Sequence, residues 1–354
     1  MSLERELVVE PVNIFDYEAL AQTRMVPAFW DFYQGGSDDE VTLCANRTAF
    51  EHIRLRPRVL VDVSASALDM RTTVLGTPIS MPILIAPTAL HCLAHPEGEC
   101  ATAQGAGMAN TLMVASTTST RSLEEIAQAA SGLLWFQLYV YYNLGVAEKL
   151  VRRAEAAGYR AIVLTVDLPY LGNREKDRRN NVTIPPPPFR EANLVDVDDD
   201  IEGQGWAVLT WEAVSWLRSI TSLPILLKGI LTVEDALLAI EHGVAGIIVS
   251  NHGGRQLDTA IASIEALPEI VEAVAGRCEV YVDGGIRRGT DILKALALGA
   301  RAVLVGRPVL WGLAADGAEG VYQVLEILRK ELKLAMALSG RPTLDSIDRN
   351  LLKM

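Results

Sequence analysis

The sequence predicts a (β/α)8 barrel with a helical segment in front of it. From Met81 onward, eight short apolar runs rich in β-branched residues alternate with amphipathic stretches. Runs of that kind are strands covered on both faces, and eight of them with helices between suit a closed barrel better than an open sheet. Polar residues gather at the carboxyl end of every run, where barrel chemistry sits. The glycine-rich fingerprint of a doubly wound dinucleotide-binding sheet is missing after the first run.

The elements follow in order. Residues 1 to about 60 read as helical. Asn13 caps a first helix, and Pro27-Ala28-Phe29-Trp30-Asp31-Phe32-Tyr33 forms an aromatic second one that stops at Gly35-Gly36. Its aromatics are core material, but Tyr33, at the helix end with a hydroxyl to place, is the one to face a ligand. The strands read as Ile83–Pro87, Leu112–Ser116, Leu134–Val140, Ala161–Asp167, Ile225–Gly229, Gly246–Asn251, Val280–Gly285 and Ala302–Arg307. Between them, Glu97–Ala109, Ser122–Ala130, Val146–Ala157, Val233–His242, Ile264–Ala275 and Thr290–Leu298 read as helices. Residues 170–210 break the rhythm before the helix that begins at Trp211. With its Pro185–Pro188 run and acidic residues 196–200, this interval reads as a lid over the barrel mouth. Gly317–Leu338 reads as a long closing helix.

The chemistry centres on Ser250-Asn251-His252-Gly253-Gly254-Arg255-Gln256-Leu257-Asp258, directly after the sixth strand. A lone histidine there is commonly a capping group, but Arg255 and Asp258 share this loop. Histidine moves a proton near neutral pH, and arginine holds a carboxylate by two parallel hydrogen bonds. Together they point to proton removal from an anionic substrate. The other strand ends supply Thr88 and Ala89, Ser116, Gln137 and Tyr139, Thr165 and Asp167, Lys228, Asp283-Gly284-Gly285, and Gly306-Arg307, with Arg174 in the lid. The glycine turns after strands seven and eight are where many barrels hold a phosphate. Asp283 suits ribityl or ribose hydroxyls, and Lys228 would set a positive charge beside an electron-accepting ring.

Composition narrows the class. The net charge of −12 argues against nucleic-acid binding. Cys44, Cys92, Cys100 and Cys278 show neither metal nor disulfide spacing, which suits a reducing, cytoplasmic setting. Residues 1–10 are charged and lack the apolar core of a signal peptide, and no run is long enough to span a bilayer. The terminal Leu352-Lys353-Met354 matches a peroxisomal address only weakly, because a small residue normally opens that tripeptide.

In family order stand Ala86-Pro87-Thr88-Ala89, Ala94-His95-Pro96-Glu97-Gly98-Glu99, Gln137-Leu138-Tyr139, Thr165-Val166-Asp167, Leu171-Gly172-Asn173-Arg174, Leu227-Lys228-Gly229, residues 250–258, residues 283–287 and Gly306-Arg307-Pro308. From about Asn13 to Ser339 the chain thereby resembles the FMN-dependent α-hydroxy acid oxidase and dehydrogenase family, which includes glycolate, lactate and long-chain hydroxy acid oxidases. The resemblance implies one barrel domain over the whole chain and a homotetramer. It implies that His252 takes the substrate proton, that Asp167 steadies the imidazolium, that Arg174 and Arg255 hold the carboxylate, and that Tyr33 and Tyr139 bind the carboxylate and hydroxyl. It implies that FMN is held by Thr88, Ala89, Ser116, Gln137, Thr165, Lys228, Ser250, Asp283, Gly285, Arg287, Gly306 and Arg307. A carboxylate beside His252 is expected to strengthen it as a base.

The chain departs from the family in its short lid and at two positions. Many glycolate oxidases carry Trp at the position of Thr118, and Met-Gln where this chain has Leu90-His91. Both positions are expected to shape the pocket and to favour lactate or longer acids over glycolate. Three functions follow, in order: an oxidase that turns an L-2-hydroxy acid into the 2-oxo acid and O2 into H2O2; a dehydrogenase passing electrons to a quinone or haem; and a barrel that only binds a phosphorylated ligand. The second lacks a preceding haem domain and an apolar membrane insert, and the third leaves His252, Asp167 and the arginines idle.

Overall fold

A computed structural model describes residues 10–181, 185–186, 188–195 and 207–353. The opening stretch, part of the proline run, residues 196–200 and Met354 therefore fall wholly or partly outside the described residues, as does much of the interval read as a lid. Eight parallel strands close into a barrel: β1 (Ile83–Ile85), β2 (Leu112–Ala115), β3 (Leu133–Leu138), β4 (Ile162–Thr165), β5 (Ile225–Ile230), β6 (Gly246–Val249), β7 (Glu279–Asp283) and β8 (Ala302–Val305). β8 pairs with β1 from Val303↔Ile83 to Val305↔Ile85, which completes the ring.

Alternation along the strands separates two cores. Leu84, Val114, Trp135, Val163, Leu226, Ile248, Tyr281 and Leu304 point into the barrel and pack together. Trp135 and Tyr281 meet edge to face there, with ring centroids 5.7 Å apart. The next residues along, such as Ile83, Met113, Phe136, Ile162, Ile247 and Val303, point outward against the helices. A hairpin that the sequence reading did not anticipate, Thr72–Val74 with Thr77–Ile79, adds Val74 and Ile79 to the inner cluster.

Most strands stop one or two residues short of the sequence reading. The reason is chemical: Pro87 has no N–H for the ladder, and Asp167, Asn251 and Gly285 belong to turns that carry the polar ends outward. β5 instead runs to Ile230, with its register shifted between Lys228 and Ile230. Gly229 sits there at φ 113, and a Cβ on it would lie 2.5 Å from Cβ of Asp167. Glycine at that position is what gives Asp167 its place.

The helices follow the sequence closely. Asn13 accepts from the amides of Phe15 and Asp16, while Asp16 reaches back to the Asn13 amide, a complete capping box on Ile14–Arg24. Pro27–Gln34 ends at Gly35. A third helix, Val41–His52, was not resolved by sequence reading. Its free amides at Val41 and Thr42 are met by the Asp258 carboxylate at 3.2 and 2.8 Å. Asp258 is therefore a cap supplied from across the chain, not a member of the reacting group. The closing run is helical from Arg307 to Leu338 but breaks at Asp316 and Gly317, so the eighth barrel helix and the expected closing helix meet there. Among the described residues no helix is long and apolar enough to cross a membrane.

Candidate active site

Where β6 ends, Ser250 and Asn251 leave the ladder and the chain turns through His252 (φ 60), Gly253 (φ 67) and Gly254 (φ 74). Left-handed backbone costs a non-glycine residue of order 1 kcal/mol, so His252 is held there by its surroundings. Ser250 Oγ accepts from the His252 amide at 3.1 Å, and Asn251 Oδ1 accepts from the Gly254 amide at 3.1 Å and from Asn46 Nδ2 at 2.8 Å. The imidazole Nδ1 lies 2.9 Å from Asp167 Oδ1, and Nε2 lies 3.5 Å from the Tyr139 hydroxyl. A carboxylate at Nδ1 fixes the proton on that nitrogen and leaves the Nε2 lone pair to act as base.

Burial lowers the His252 pKa, and Lys228 and Arg174 push the same way; the opposing pull of Asp167 does not overcome them. The sequence reading expected the carboxylate to dominate. Desolvation of the whole ring outweighs it and favours the neutral imidazole, the form that serves as a base. Burial works against the Asp167 carboxylate too, yet His252 and Lys228 hold its pKa below the usual value.

A cationic side stands opposite. Arg174, Arg255, Arg287 and Arg307 all line the cavity, and none has a carboxylate partner within ion-pair distance among the described residues. Burial and mutual repulsion push Arg255 well below the usual guanidinium value, Arg287 to about 9 and Arg307 to about 10. Such a cluster is short of negative charge. Arg255 donates through Nη1 to the carbonyls of Phe32 and Gly35, both at 2.7 Å, and Arg307 donates to those of Tyr33, Gly253 and Gly35. Tyr33 faces the cavity as expected, but its hydroxyl donates to the Leu90 carbonyl at 2.6 Å, so its proton is already engaged.

The floor is one polar network. Gln137 accepts from Ser116 Oγ at 3.1 Å and donates to Thr165 Oγ1 at 2.9 Å. Lys228 Nζ donates to Ser250 Oγ at 3.0 Å and lies 3.4 Å from Asp283 Oδ2. Burial alone would lower the Lys228 pKa, but Asp283 and Asp167 raise it, so the cation persists. Asp283 Oδ1 is buried without a partner among the described residues.

Of the residues assigned from sequence to catalysis, substrate or FMN, all line one cavity of about 290 Å³ except Asp167 and Ser250, which stand directly behind His252 and Lys228. Thr88, Ala89, Gly285 and Gly306 border it as expected, and so does Thr118. His91 does not. Its ring is fully buried behind the wall between Thr88 Oγ1 and Thr102 Oγ1, because those hydroxyls satisfy both ring nitrogens, and only Leu90 of that pair reaches the cavity. Sequence reading missed Leu168 and Glu191 in the lining. An excess of arginines, glycine turns at two strand ends and an orphaned carboxylate oxygen together suit a phosphorylated ligand bearing hydroxyls, which FMN is.

The chain matches the model of the FMN-dependent dehydrogenase family over residues 21–354. It is 52% identical to an L-lactate oxidase of Nostoc sp. over 98% of this chain and 99% of that one. It is 50% identical to a glycolate oxidase of Spinacia oleracea over 97% and 95%. Among solved structures it is similar to mandelate oxidase with benzoyl-formic acid, at a TM-score of 0.90 and 46% identity, covering 97% of this chain and 98% of that chain. With the barrel closed, its polar ends converged on one cavity and the family match spanning nearly all of it, the chain belongs to the FMN-dependent dehydrogenase family.

Proposed function

We propose that the protein oxidises L-2-hydroxy acids to 2-oxo acids, with O2 reoxidising the flavin to give H2O2, and that lactate or longer acids serve better than glycolate. The observation that carries this reading is His252, its Nδ1 held 2.9 Å from Asp167 Oδ1, facing the same cavity as two arginines that have no carboxylate within ion-pair distance among the described residues. Arg174 and Arg255 hold the substrate carboxylate. Tyr139 binds the hydroxyl beside Nε2, which accepts a proton from the substrate, and Asp167 stabilises the imidazolium that results. Gly285, Arg287, Gly306 and Arg307 would hold the phosphate of FMN, and Asp283 its ribityl hydroxyls. Thr88, Ala89, Ser116, Gln137, Thr165 and Lys228 would surround its ring, with Ser250 anchoring Lys228. Bound FMN supplies the two-electron acceptor, and a cation such as Lys228 near the ring favours its reduced, anionic form.

The test is direct. The purified protein is yellow, bleaches anaerobically with L-2-hydroxy acids, and regains colour in air with release of peroxide. Recovery with a quinone but not with O2 would make it a dehydrogenase. In this reading the holoenzyme is a homotetramer, which light scattering checks.

Thr118 decides side-chain length. It lines the cavity, and Trp in its place would fill space that an extended side chain needs. Each further methylene buried there is worth roughly 0.8 kcal/mol. Lactate and longer acids should exceed glycolate in kcat/KM, and Thr118→Trp should move the ranking towards glycolate. An unchanged ranking removes Thr118 from specificity.

The pH profile checks the base. Protonation of Nε2 abolishes the base, so activity falls as pH drops through the His252 pKa. That pKa is depressed. With lactate, the acid limb of kcat/KM should therefore lie below about 6.5, the ordinary histidine value. A limb above that value would show that Asp167, rather than burial, controls His252.

A further inference from the structure

Glu191 is the one acid of the cavity lining for which sequence reading offered no role, and it stands on a fixed platform. Ala192 donates its amide to the Ser119 carbonyl at 2.9 Å. Asn193 accepts from the Leu123 amide at 2.8 Å and donates to the carbonyls of Thr117 and Ser116 at 3.0 and 3.3 Å. On the other side Phe189 packs edge to face on Phe29, with centroids 6.1 Å apart. These contacts tie Ala192 and Asn193 to the segment that carries Thr118, and Phe189 to the helix Pro27–Gln34. Thr118 and Glu191 thus border the cavity from adjoining segments.

Among the described residues, the carboxylates buried more fully than Glu191 are each held through at least one oxygen. Glu99 accepts from the amides of His91, Thr120 and Arg121, Asp258 caps a helix, Asp167 pairs with His252, and Asp283 lies beside Lys228. No described residue donates a hydrogen bond to the Glu191 carboxyl or pairs with it, although it is largely withdrawn from water. A half-buried carboxyl in the cavity wall, without a partner among the described residues, is open to a ligand that would complete it.

We propose that Glu191 is a specificity-determining residue that reads the far end of the substrate side chain, favouring 2-hydroxy acids that end in an ammonium group over those that end in a carboxylate. The inference rests on the proposed oxidation of 2-hydroxy acids and names which of them the cavity selects. The space that Thr118 leaves open leads an extended side chain along this wall. An ammonium group arriving there meets an acid in a site poor in water, where the attraction is strong, and a second carboxylate meets repulsion.

Burial pushes the Glu191 carboxyl up to about 7, and no neighbouring charge opposes the shift. Around the platform, Arg153 and Glu124 pair with each other on the outer side. Arg174, Arg255, His252 and Tyr139 face the same cavity. The last four act on the reacting end of every substrate alike, so their titration cancels when two substrates are compared as a ratio.

The experiment uses the holoenzyme and matched L-2-hydroxy acids of five and six carbons, ending in methyl, ammonium or carboxylate. Flavin reduction is followed anaerobically at about pH 6 and about pH 8, where both charged tails keep their charge. The ammonium-to-carboxylate ratio of kcat/KM should rise at least about 10-fold between the two, as Glu191 ionises. Binding of the matching 2-oxo acids, read from the flavin spectrum, should show the same rise. Glu191→Gln should flatten both ratios, and Glu191→Leu should leave the methyl-ended acid the best of the three. A ratio that ignores pH in the parent, or keeps its pH dependence in Glu191→Gln, overturns the assignment while methyl-ended acids still bleach the flavin. If no 2-hydroxy acid bleaches it, the proposed oxidation falls as well.

Discussion

His252→Gln should leave FMN bound and the protein yellow, yet slow flavin reduction by lactate about 10²–10⁴-fold, the usual range for losing a general base. The size of the effect follows from what the ring does and what glutamine keeps. The glutamine amide still donates to Asp167 Oδ1, where the imidazole Nδ1 now lies at 2.9 Å, so the buried carboxylate retains a partner. What disappears is the lone pair of Nε2. Neither Tyr139, whose phenol is pushed up to about 12, nor Lys228, which stays charged, is a base near neutral pH. The left-handed backbone at residue 252 disfavours both side chains, so melting temperatures of the two proteins should agree closely. Stopped-flow reduction decides the matter. A variant that reduces its flavin at near the parent rate removes His252 from the chemistry.

Why the sequence disclosed this site so fully is physical. Each barrel strand is an apolar run, and burial ends abruptly at its carboxyl end, so a polar residue there stands out against a composition that folding alone explains. Thr165, Lys228, Ser250 and Asp283 are legible for that reason. Tyr33 was legible because a hydroxyl at the end of an apolar helix needs a partner, and its partner proves to be the Leu90 carbonyl as well as the cavity. Other features had no local signal. Asp258 meets Val41 and Thr42 across more than two hundred residues, and only the fold brings them together. His91 sits beside pocket residues in sequence, but a 3-10 turn over His91–Leu93 carries its ring away to Thr102. Glu191 lies in an interval without periodicity, and contacts of Phe189, Ala192 and Asn193 with distant segments, not a pattern, give it its place. The net direction of the His252 shift was also hidden. It depends on how completely the ring is buried, which no neighbouring residue in the sequence encodes.

Arg174→Met and Arg255→Met should each raise KM for a short 2-hydroxy acid by roughly 30-fold or more, because each removes a partner from a buried, hydrogen-bonded carboxylate, a loss worth about 2 kcal/mol at least. Their effects on stability should differ. Among the described residues Arg174 makes one long hydrogen bond to the scaffold, Nε to the Arg255 carbonyl at 3.4 Å, and it repels Arg255. Its loss relieves crowding among like charges, so the melting temperature should hold or rise. Arg255 has a second task. Its Nη1 ties down the carbonyls of Phe32 and Gly35, and the guanidinium lies 5.2 Å above the Phe32 ring, so it fixes the helix that carries Tyr33. Hydrogen bonds from a charged group contribute about 1.5–3 kcal/mol each, and losing two of them should lower the melting temperature by several degrees. Arg255→Lys should recover part of that stability but little of the affinity, since an ammonium group lacks the planar fork that meets a carboxylate at two points. Saturation kinetics and thermal melts on the three variants separate the two tasks. If KM stays at the parent value in all of them, the carboxylate is held elsewhere, and the arginine cluster serves the cofactor phosphate alone.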